Sequence, residues 1–451
     1  MATNDISCDV LIVGCGVGGL YTALNLPAGL DVVMLSKGAV EECDSMLAQG
    51  GICVLPCAED YQAFFDDTMR AGHDENRRES VDVMIRSSRS VINDLVALGA
   101  DFERDETGGL AFTREGAHSR PRIAFHADIT GREITTTLLA AVRRLPNVRI
   151  LERVAMTDLL VEDGACRGVV ARAVTEEESV QTAEELQGAF VAQGDGTAKS
   201  PTPQPFAIRA TATVLACGGI GGVYDHSTNY PQLTGDACYL AAHYGIEQEH
   251  LDYVQIHPTG LYSKKPGRTF LISESCRGEG AVLLDQAGER FTDELQPRDV
   301  VAAAIRAQMR ADNSEYEWLS FAPVEPRVVR EHFANIREHC QVKEGRDILS
   351  EPIPVVPTQH YFMGGVRVDK DGRTSMPSLF AVGETACNGV HGKNRLASNS
   401  LLEALVWARR AACVIATGDS LPVEQVGEPT LDGAHRTGPY ATALDSLCAT
   451  A

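Results

Sequence analysis

The chain has 451 residues, 44% hydrophobic and 23% charged, an ordinary balance for a globular protein of about two or three domains with a large core. A net charge of −22 and a pI near 5.0 argue against nucleic acid or an anionic membrane surface as the main partner. No run approaches 18 apolar residues, and no basic region followed by an apolar stretch opens the chain, so neither a membrane span nor a signal peptide is expected. The 13 cysteines are scattered and include no C-x-x-C pair, which reads as reduced thiols of a cytoplasmic protein rather than a disulfide framework or a metal site.

The first element is a short apolar strand over 10–13 that runs into Gly14-x-Gly16-x-x-Gly19. Gly14 lets the chain turn, Gly16 lets the backbone approach a pyrophosphate, and Gly19 lets the next helix, over 17–26, pack close to the strand. Free N–H groups at the start of that helix would face phosphates. A second strand over 31–35 ends in Ser36-Lys37-Gly38, where a simple NAD fingerprint wants an acidic residue. A nucleotide site is therefore expected, and a classical NAD site is disfavoured.

The glycine pair in Ala48-Gln49-Gly50-Gly51 is either a plain turn or a close backbone approach to a flat ligand. Helices are expected over 58–70 and 81–98, the second capped by Ser80 and closed by Gly99. The charged stretch 113–120, containing Glu115 and His118, reads equally as solvated surface or as a functional loop. A helix over 132–145 precedes strands over 148–151, 154–161 and 168–174, the last two a hairpin around Asp163-Gly164. Residues 176–208 suggest a long mobile loop or insertion. A strand over 211–217 then meets Gly218-Gly219, and Asp236 opens a short helix ending near 244.

From about residue 247 the alternation weakens. Helices are expected over 299–311 and 324–340, and Pro352, Pro354 and Pro357 mark a return to the first pattern. The expected organisation is a first domain over 1–246 and 357–417, a domain over 247–356 inserted into it, and a tail over 418–451 with little structure of its own. A strand over 379–382 ends at Glu384. The 401–417 helix follows Ser400, which with Glu403 has the pattern of a capping box.

Gly14-x-Gly16-x-x-Gly19, Ser36-Lys37-Gly38, Ala48-Gln49-Gly50-Gly51, Arg277-Gly278-Glu279-Gly280, Pro297-Arg298-Asp299 and Arg395-Leu396-Ala397-Ser398-Asn399-Ser400 occur in this order over about 8–417. The set resembles the succinate dehydrogenase/fumarate reductase flavoprotein family. Thr113-Arg114-Glu115-Gly116 with His118-Ser119 resembles the branch that oxidises L-aspartate. The resemblance implies an α/β architecture, a Rossmann-like FAD-binding domain with an inserted α+β capping domain, and a C-terminal helical extension that is short or absent. It implies FAD held by Gly14, Cys15, Gly16, Val17, Gly18, Gly19, Ser36, Lys37, Asp44, Ser45, Ala48, Gln49, Gly50, Gly51, Asp236, Glu384, Ser398, Ser400 and Leu401. Asp44 stands where respiratory members carry the histidine that binds flavin covalently, so the FAD is expected to be non-covalent.

By the same resemblance, His257, Thr259, His360 and Arg395 bind the carboxylates of a dicarboxylate, Arg298 sits at its C2–C3 bond, and Glu115 pairs with the substrate amine. The implied reaction is hydride transfer from C2 of L-aspartate to flavin N5, giving iminoaspartate as the first step of de novo NAD biosynthesis. Oxygen or fumarate is the implied acceptor and quinolinate synthase the implied consumer of the imine. The alternative is a soluble fumarate reductase-like enzyme, which would use the same cationic residues but not Glu115. Neither metal, nucleic acid nor membrane enters either reading. His118, His126 and His391 lie near these motifs without an assigned role.

Overall fold

The Val10–Val13 half of the Ile6–Val13 strand is apolar on both faces because it lies in the middle of a parallel sheet. In the computed structural model, which describes residues 5–186, 204–264, 268–435 and 437–449, this strand pairs in parallel with Val32–Ser36 on one side and Phe206–Leu215 on the other. Val148–Glu152 extends the first side. The second side is split along the length of Phe206–Leu215. The antiparallel hairpin Val154–Glu162/Ala165–Ala173 pairs with its first half, and Leu379–Ala381 runs parallel to Thr213–Leu215. The helices Val17–Asn25 and Asn399–Thr417 pack on each other against this sheet, so the N-terminal turn and a helix from the far end of the chain meet.

A second apolar cluster, from Leu261 to Val355, is separate from the first. Its sheet is antiparallel, in the order Val254–Leu261, Ile353–Phe362, Glu317–Ser320, Val282–Leu284. Helices Arg298–Asp312, Pro326–His332 and Ala334–Glu344 cover it. The single helical stretch expected over 324–340 is thus two helices, broken at Phe333, whose ring is buried in the cluster. The α/β class with an α+β cap is the observed architecture.

Four local expectations are corrected. Ser80 lies inside the Arg78–Ala97 helix rather than at its start, and its hydroxyl donates to the Asn388 carbonyl. Ser400 and Glu403 form no capping box. The helix begins at Asn399, Ser400 Oγ accepts from Arg395, and the Glu403 carboxylate accepts from Asn388. The tail is ordered by contact rather than by propensity. Ala443–Cys448 forms a short capped helix, with the Ala443 N–H on the Leu26 carbonyl and the Tyr440 hydroxyl on that of Asn25. Of the loop expected over 176–208, residues 187–203 lie outside the described residues, and the following strand begins at Phe206, not 211.

Candidate active site

The turn after the first strand shows why its glycines are there. Gly14 has φ +116°, and a Cβ on it would lie 2.0 Å from the Ala216 oxygen; a Cβ on Gly19 would lie 2.1 Å from the Gly14 oxygen. Both positions are closed to any side chain. Gly19 therefore acts behind the turn, as a packing residue, and does not line the cleft. Gly16 precedes the Val17–Asn25 helix, whose start opens into a cleft of about 980 Å³. Cys15 and Gly18 line the same wall. Ser36 and Lys37 lie across it at the end of the second strand, with the Lys37 ammonium 2.7 Å from Asp236.

A second cleft of about 930 Å³ continues from the first, sharing Val17, Asp44, Ser45, Glu384 and Ala404 with it. Ala48, Gln49, Gly50 and Gly51 line one side, and Ser398, Ser400 and Leu401 bring the N-terminus of the Asn399–Thr417 helix to it. Both carboxyl groups at the junction are half-buried. Burial pushes Glu384 up to about 8, and Asp44 adds to the effect; burial pushes Asp44 to about 7, opposed by the Tyr230 N–H at 2.8 Å.

At the far end the cap supplies its side chains. His257 lies on Val254–Leu261 and His360 on the neighbouring strand Ile353–Phe362; their rings meet edge to face with centroids 5.1 Å apart. The Thr259 N–H donates to His257 Nδ1 at 3.1 Å, so the ring's proton is on Nε2. That nitrogen is buried with no hydrogen-bond partner among the described residues. Thr228 Oγ1 lies 2.8 Å from His360 Nδ1. Burial, reinforced by the Arg298 charge, holds both histidines well below their ordinary value, so both are neutral donors. Thr259 itself does not reach the cleft. It is fully buried, and its hydroxyl donates to the Ile272 carbonyl. The Thr259 backbone, not its side chain, serves the site by orienting His257.

Two arginines converge on the same chamber. Arg395 stacks on the Tyr361 ring at 4.5 Å, donates to Ser400 Oγ at 2.9 Å, and leaves a buried Nε without a hydrogen-bond partner among the described residues. Burial and the nearby Arg298 lower it to about 10, so it remains a cation at neutral pH. Arg298 begins its helix and donates from Nε to Glu274 at 2.5 Å and from Nη1 to Gln255 at 2.9 Å. The Gln255 amide donates in turn to the Asn394 side chain and the Arg395 carbonyl, which ties the two arginine segments together. Glu274 is buried between Arg298 and Arg277. Burial would raise its carboxyl, but the two guanidinium groups hold it below the usual range. Sequence reading singled out neither Gln255 nor Glu274, although Gln255 stands two residues before His257 and Glu274 three before Arg277.

Glu115 completes the chamber from the loop 113–119. It is 4% exposed, which removes the solvated-surface reading. Its Oε2 accepts from Ser398 Oγ at 2.5 Å and its Oε1 from Ser275 Oγ at 2.9 Å. Burial, then Glu274, raises its carboxyl. The loop is anchored from behind. His118 lies between Arg122 (2.9 Å at Nδ1) and the Ala397 carbonyl (3.0 Å at Nε2), while Arg122 is held by Asp60 and Asp67. His118 is thus a strut between the Glu115 loop and the Arg395 loop.

The joined clefts fit a long dinucleotide. One end offers glycine backbone and a helix start, the junction has two half-buried carboxyls, and the other end has a second helix start. Comparison with known proteins agrees. Residues 9–401 match the FAD binding domain family. An L-aspartate oxidase of Clostridium perfringens is 47% identical over 408 residues, covering 90% of this chain and 86% of that one. An L-aspartate oxidase of Neisseria meningitidis is 39% identical, covering 97% and 84%. Among solved structures, an E. coli quinol fumarate reductase chain superposes with a TM-score of 0.79 at 28% identity, covering 99% of this chain and 73% of that one.

Proposed function

The chain belongs to the L-aspartate oxidase family of FAD-binding flavoproteins, and on that premise we propose how its chamber oxidises L-aspartate to iminoaspartate. Bound FAD supplies the hydride acceptor, flavin N5, in this two-electron oxidation. The turn Gly14–Gly19, with Ser36, Lys37 and Asp236, would hold its nucleotide end. Glu384, the loop 44–51 and the start of the Asn399–Thr417 helix would hold its flavin end. Asp44 has no ring nitrogen to offer a covalent link, which supports a dissociable cofactor.

Arg395, with His257 and His360 as neutral donors, would bind the carboxylates. An arginine fork matches a carboxylate in two places, and its Nε still has a free proton. Arg298 Nε and Nη1 are committed to Glu274 and Gln255, so Nη2 is the nitrogen available to the substrate. Glu115 lines the same chamber as this cationic set. As a carboxylate it attracts the substrate ammonium and, with its raised proton affinity, can take a proton from it. A neutral amine releases hydride from C2 more readily than an ammonium does. The observation that carries this reading is a buried carboxylate in the same chamber as Arg395, Arg298 and two neutral histidines.

No helix among the described residues is long and apolar enough to cross a membrane, and all 13 cysteines are free, which supports a cytoplasmic location within this reading. Oxygen or fumarate as acceptor, and a quinolinate synthase as consumer of the imine in NAD biosynthesis, belong to the same proposal. The fumarate reductase likeness favours a second reading, reduction of an unsubstituted dicarboxylate by the same arginines.

The test is the flavin absorbance before and after anaerobic L-aspartate. Bleaching by aspartate supports oxidation of the amino acid, whereas bleaching by succinate alone favours the second reading. Glu115→Gln keeps the shape and removes the charge. It should lower kcat/KM for aspartate by about 100-fold while fumarate reduction changes much less, the difference expected from losing one buried charge-assisted contact to the amine.

A further inference from the structure

The two hydrogen bonds to Glu115 have a direction. Ser398 Oγ accepts the Gly51 N–H at 3.2 Å, so its own proton is free for Glu115 Oε2. On the other side, Ser273 Oγ accepts the Ser275 N–H as the cap of the Glu274–Gly278 helix, and its proton is directed to Ser275 Oγ at 3.2 Å. The Ser275 proton is thereby left for Glu115 Oε1. Both serines are donors to the same carboxyl group, and neither oxygen of that group is required to donate.

The surroundings make this arrangement specific. A Cβ on Gly50 would lie 2.3 Å from Glu115 Oε1, and one on Gly116 would lie 2.4 Å from Glu274 Oε1. Each glycine opens the space in which a carboxyl group is buried. The ionisable groups that act on Glu115 are Glu274 and Arg298 from the cap; the thiol of Cys53 on the Ile52–Cys53 strand lies within reach of its charge, and His118 follows on its own loop. Glu274, held ionised by Arg277 and Arg298, drives Glu115 towards its neutral form, as does burial. The serine hydroxyls act in the opposite sense. A neutral Glu115 would attract an ammonium poorly and would present no obstacle to an unsubstituted dicarboxylate.

We propose that Ser275 and Ser398 are positioning residues that hold Glu115 as a carboxylate with both oxygens fixed in the chamber wall, and that they thereby select an amine-bearing dicarboxylate over an unsubstituted one. The inference rests on the role of Glu115 given above.

The experiment compares holoenzymes carrying Ser275→Ala, Ser275→Thr and Ser398→Ala with the wild type. Aspartate oxidation and viologen-driven fumarate reduction are followed against pH, together with the infrared difference signal of a protonated Glu115, identified by its loss in Glu115→Gln. Ser275→Ala is expected to lower kcat/KM for aspartate by about tenfold at neutral pH, the scale of one hydrogen bond to a charged group. The acidic limb of its pH profile and the infrared titration should both move to higher pH. Fumarate reduction should stay within about twofold, because only the amine contact is changed. Ser275→Thr should restore the wild-type profile, and Ser398→Ala should move the limb in the same direction. Equal losses for both substrates, or an unmoved acidic limb and infrared titration, would overturn the proposal. So would loss of bound flavin in both alanine variants, since the serines would then be structural. A wild type that reduces fumarate but is inert to aspartate would instead remove the underlying reading of Glu115, and the inference with it.

Discussion

At the Gly14 end of the cleft a ligand is met by backbone, and at the Arg395 end by charged side chains. The first end consists of a positive-φ turn, a helix start and a strand terminus, with Lys37 and Asp236 already neutralising each other. The second gathers Arg277, Arg298 and Arg395 around Glu274, with Glu115 beside that carboxylate and two histidines kept neutral near them. Backbone groups cost little to hold in place and tolerate many ligands of one shape. Buried charges are costly unless each has a partner. In the proposed reading the difference separates retention of a cofactor from choice of a substrate.

The largest expected effect tests the charged end. Arg395→Ala should lower kcat/KM for aspartate by about 1,000-fold, the scale of truncating one member of a buried charge pair, while the purified protein stays yellow. Arg395→Lys should recover little, because an ammonium lacks the two-point fork. Loss of flavin from Arg395→Ala would break the division of labour between the two ends. The reciprocal change is Gly14→Ala, which adds a Cβ where there is no room and imposes a strained φ. It should weaken FAD binding by about 10- to 100-fold, the equivalent of about 1–3 kcal/mol of backbone strain, as read by flavin released on dilution. A Gly14→Ala protein with undiminished flavin would show that the turn is only a structural bend.

The smallest effect lies outside the cleft and sharpens the contrast between histidines. His257 and His360 are neutral, whereas His435 in the tail has a carboxylate on each nitrogen, Asp94 and Asp445, both at 2.6 Å. Burial opposes its charge, but the two carboxylates outweigh burial and raise its proton affinity. A group bound more tightly to its proton in the folded state stabilises that state fully below the ordinary histidine value. The contribution fades as pH rises through the folded value. His435→Gln should therefore lower the melting temperature by about 2 °C near pH 6 and by less at pH 9. An equal loss at both pH values would mean that packing, not the charged clamp, ties the tail to the Arg78–Ala97 helix.

The features legible in the chain were those whose cause is local. A run of apolar residues before Gly14-x-Gly16-x-x-Gly19 needs no distant partner to be read as a strand, a turn and a helix, and this is what the Ile6–Gly19 region forms. The expected hairpin around Asp163-Gly164 is of the same kind, because Gly164 with φ +75° suits the turn between two alternating strands. Local pattern failed where a polar side chain had a better partner outside its own element. Ser400 and Glu403 look like a capping box until Arg395 and Asn388 engage them, and Thr259 looks like a substrate donor until its hydroxyl turns to Ile272.

Taken alone, the order of motifs determined the α/β class and pointed to a nucleotide site at Gly14 and to a set of arginines and histidines proposed to hold a dicarboxylate. Tertiary structure decided which of these meet. Gln255 joins Arg298 to the Arg395 loop across 43 and 140 residues of sequence separation, and Ser398 reaches Glu115 across 283. It also decided protonation. Whether a histidine is driven towards its neutral form, as at 257, or towards its charged form, as at 435, depends on burial and on the carboxylates or guanidinium groups that the fold brings within hydrogen-bonding or Coulomb range. Residue type supplies the titratable group, but its charge is a property of the surroundings, and these exist only once the chain has folded.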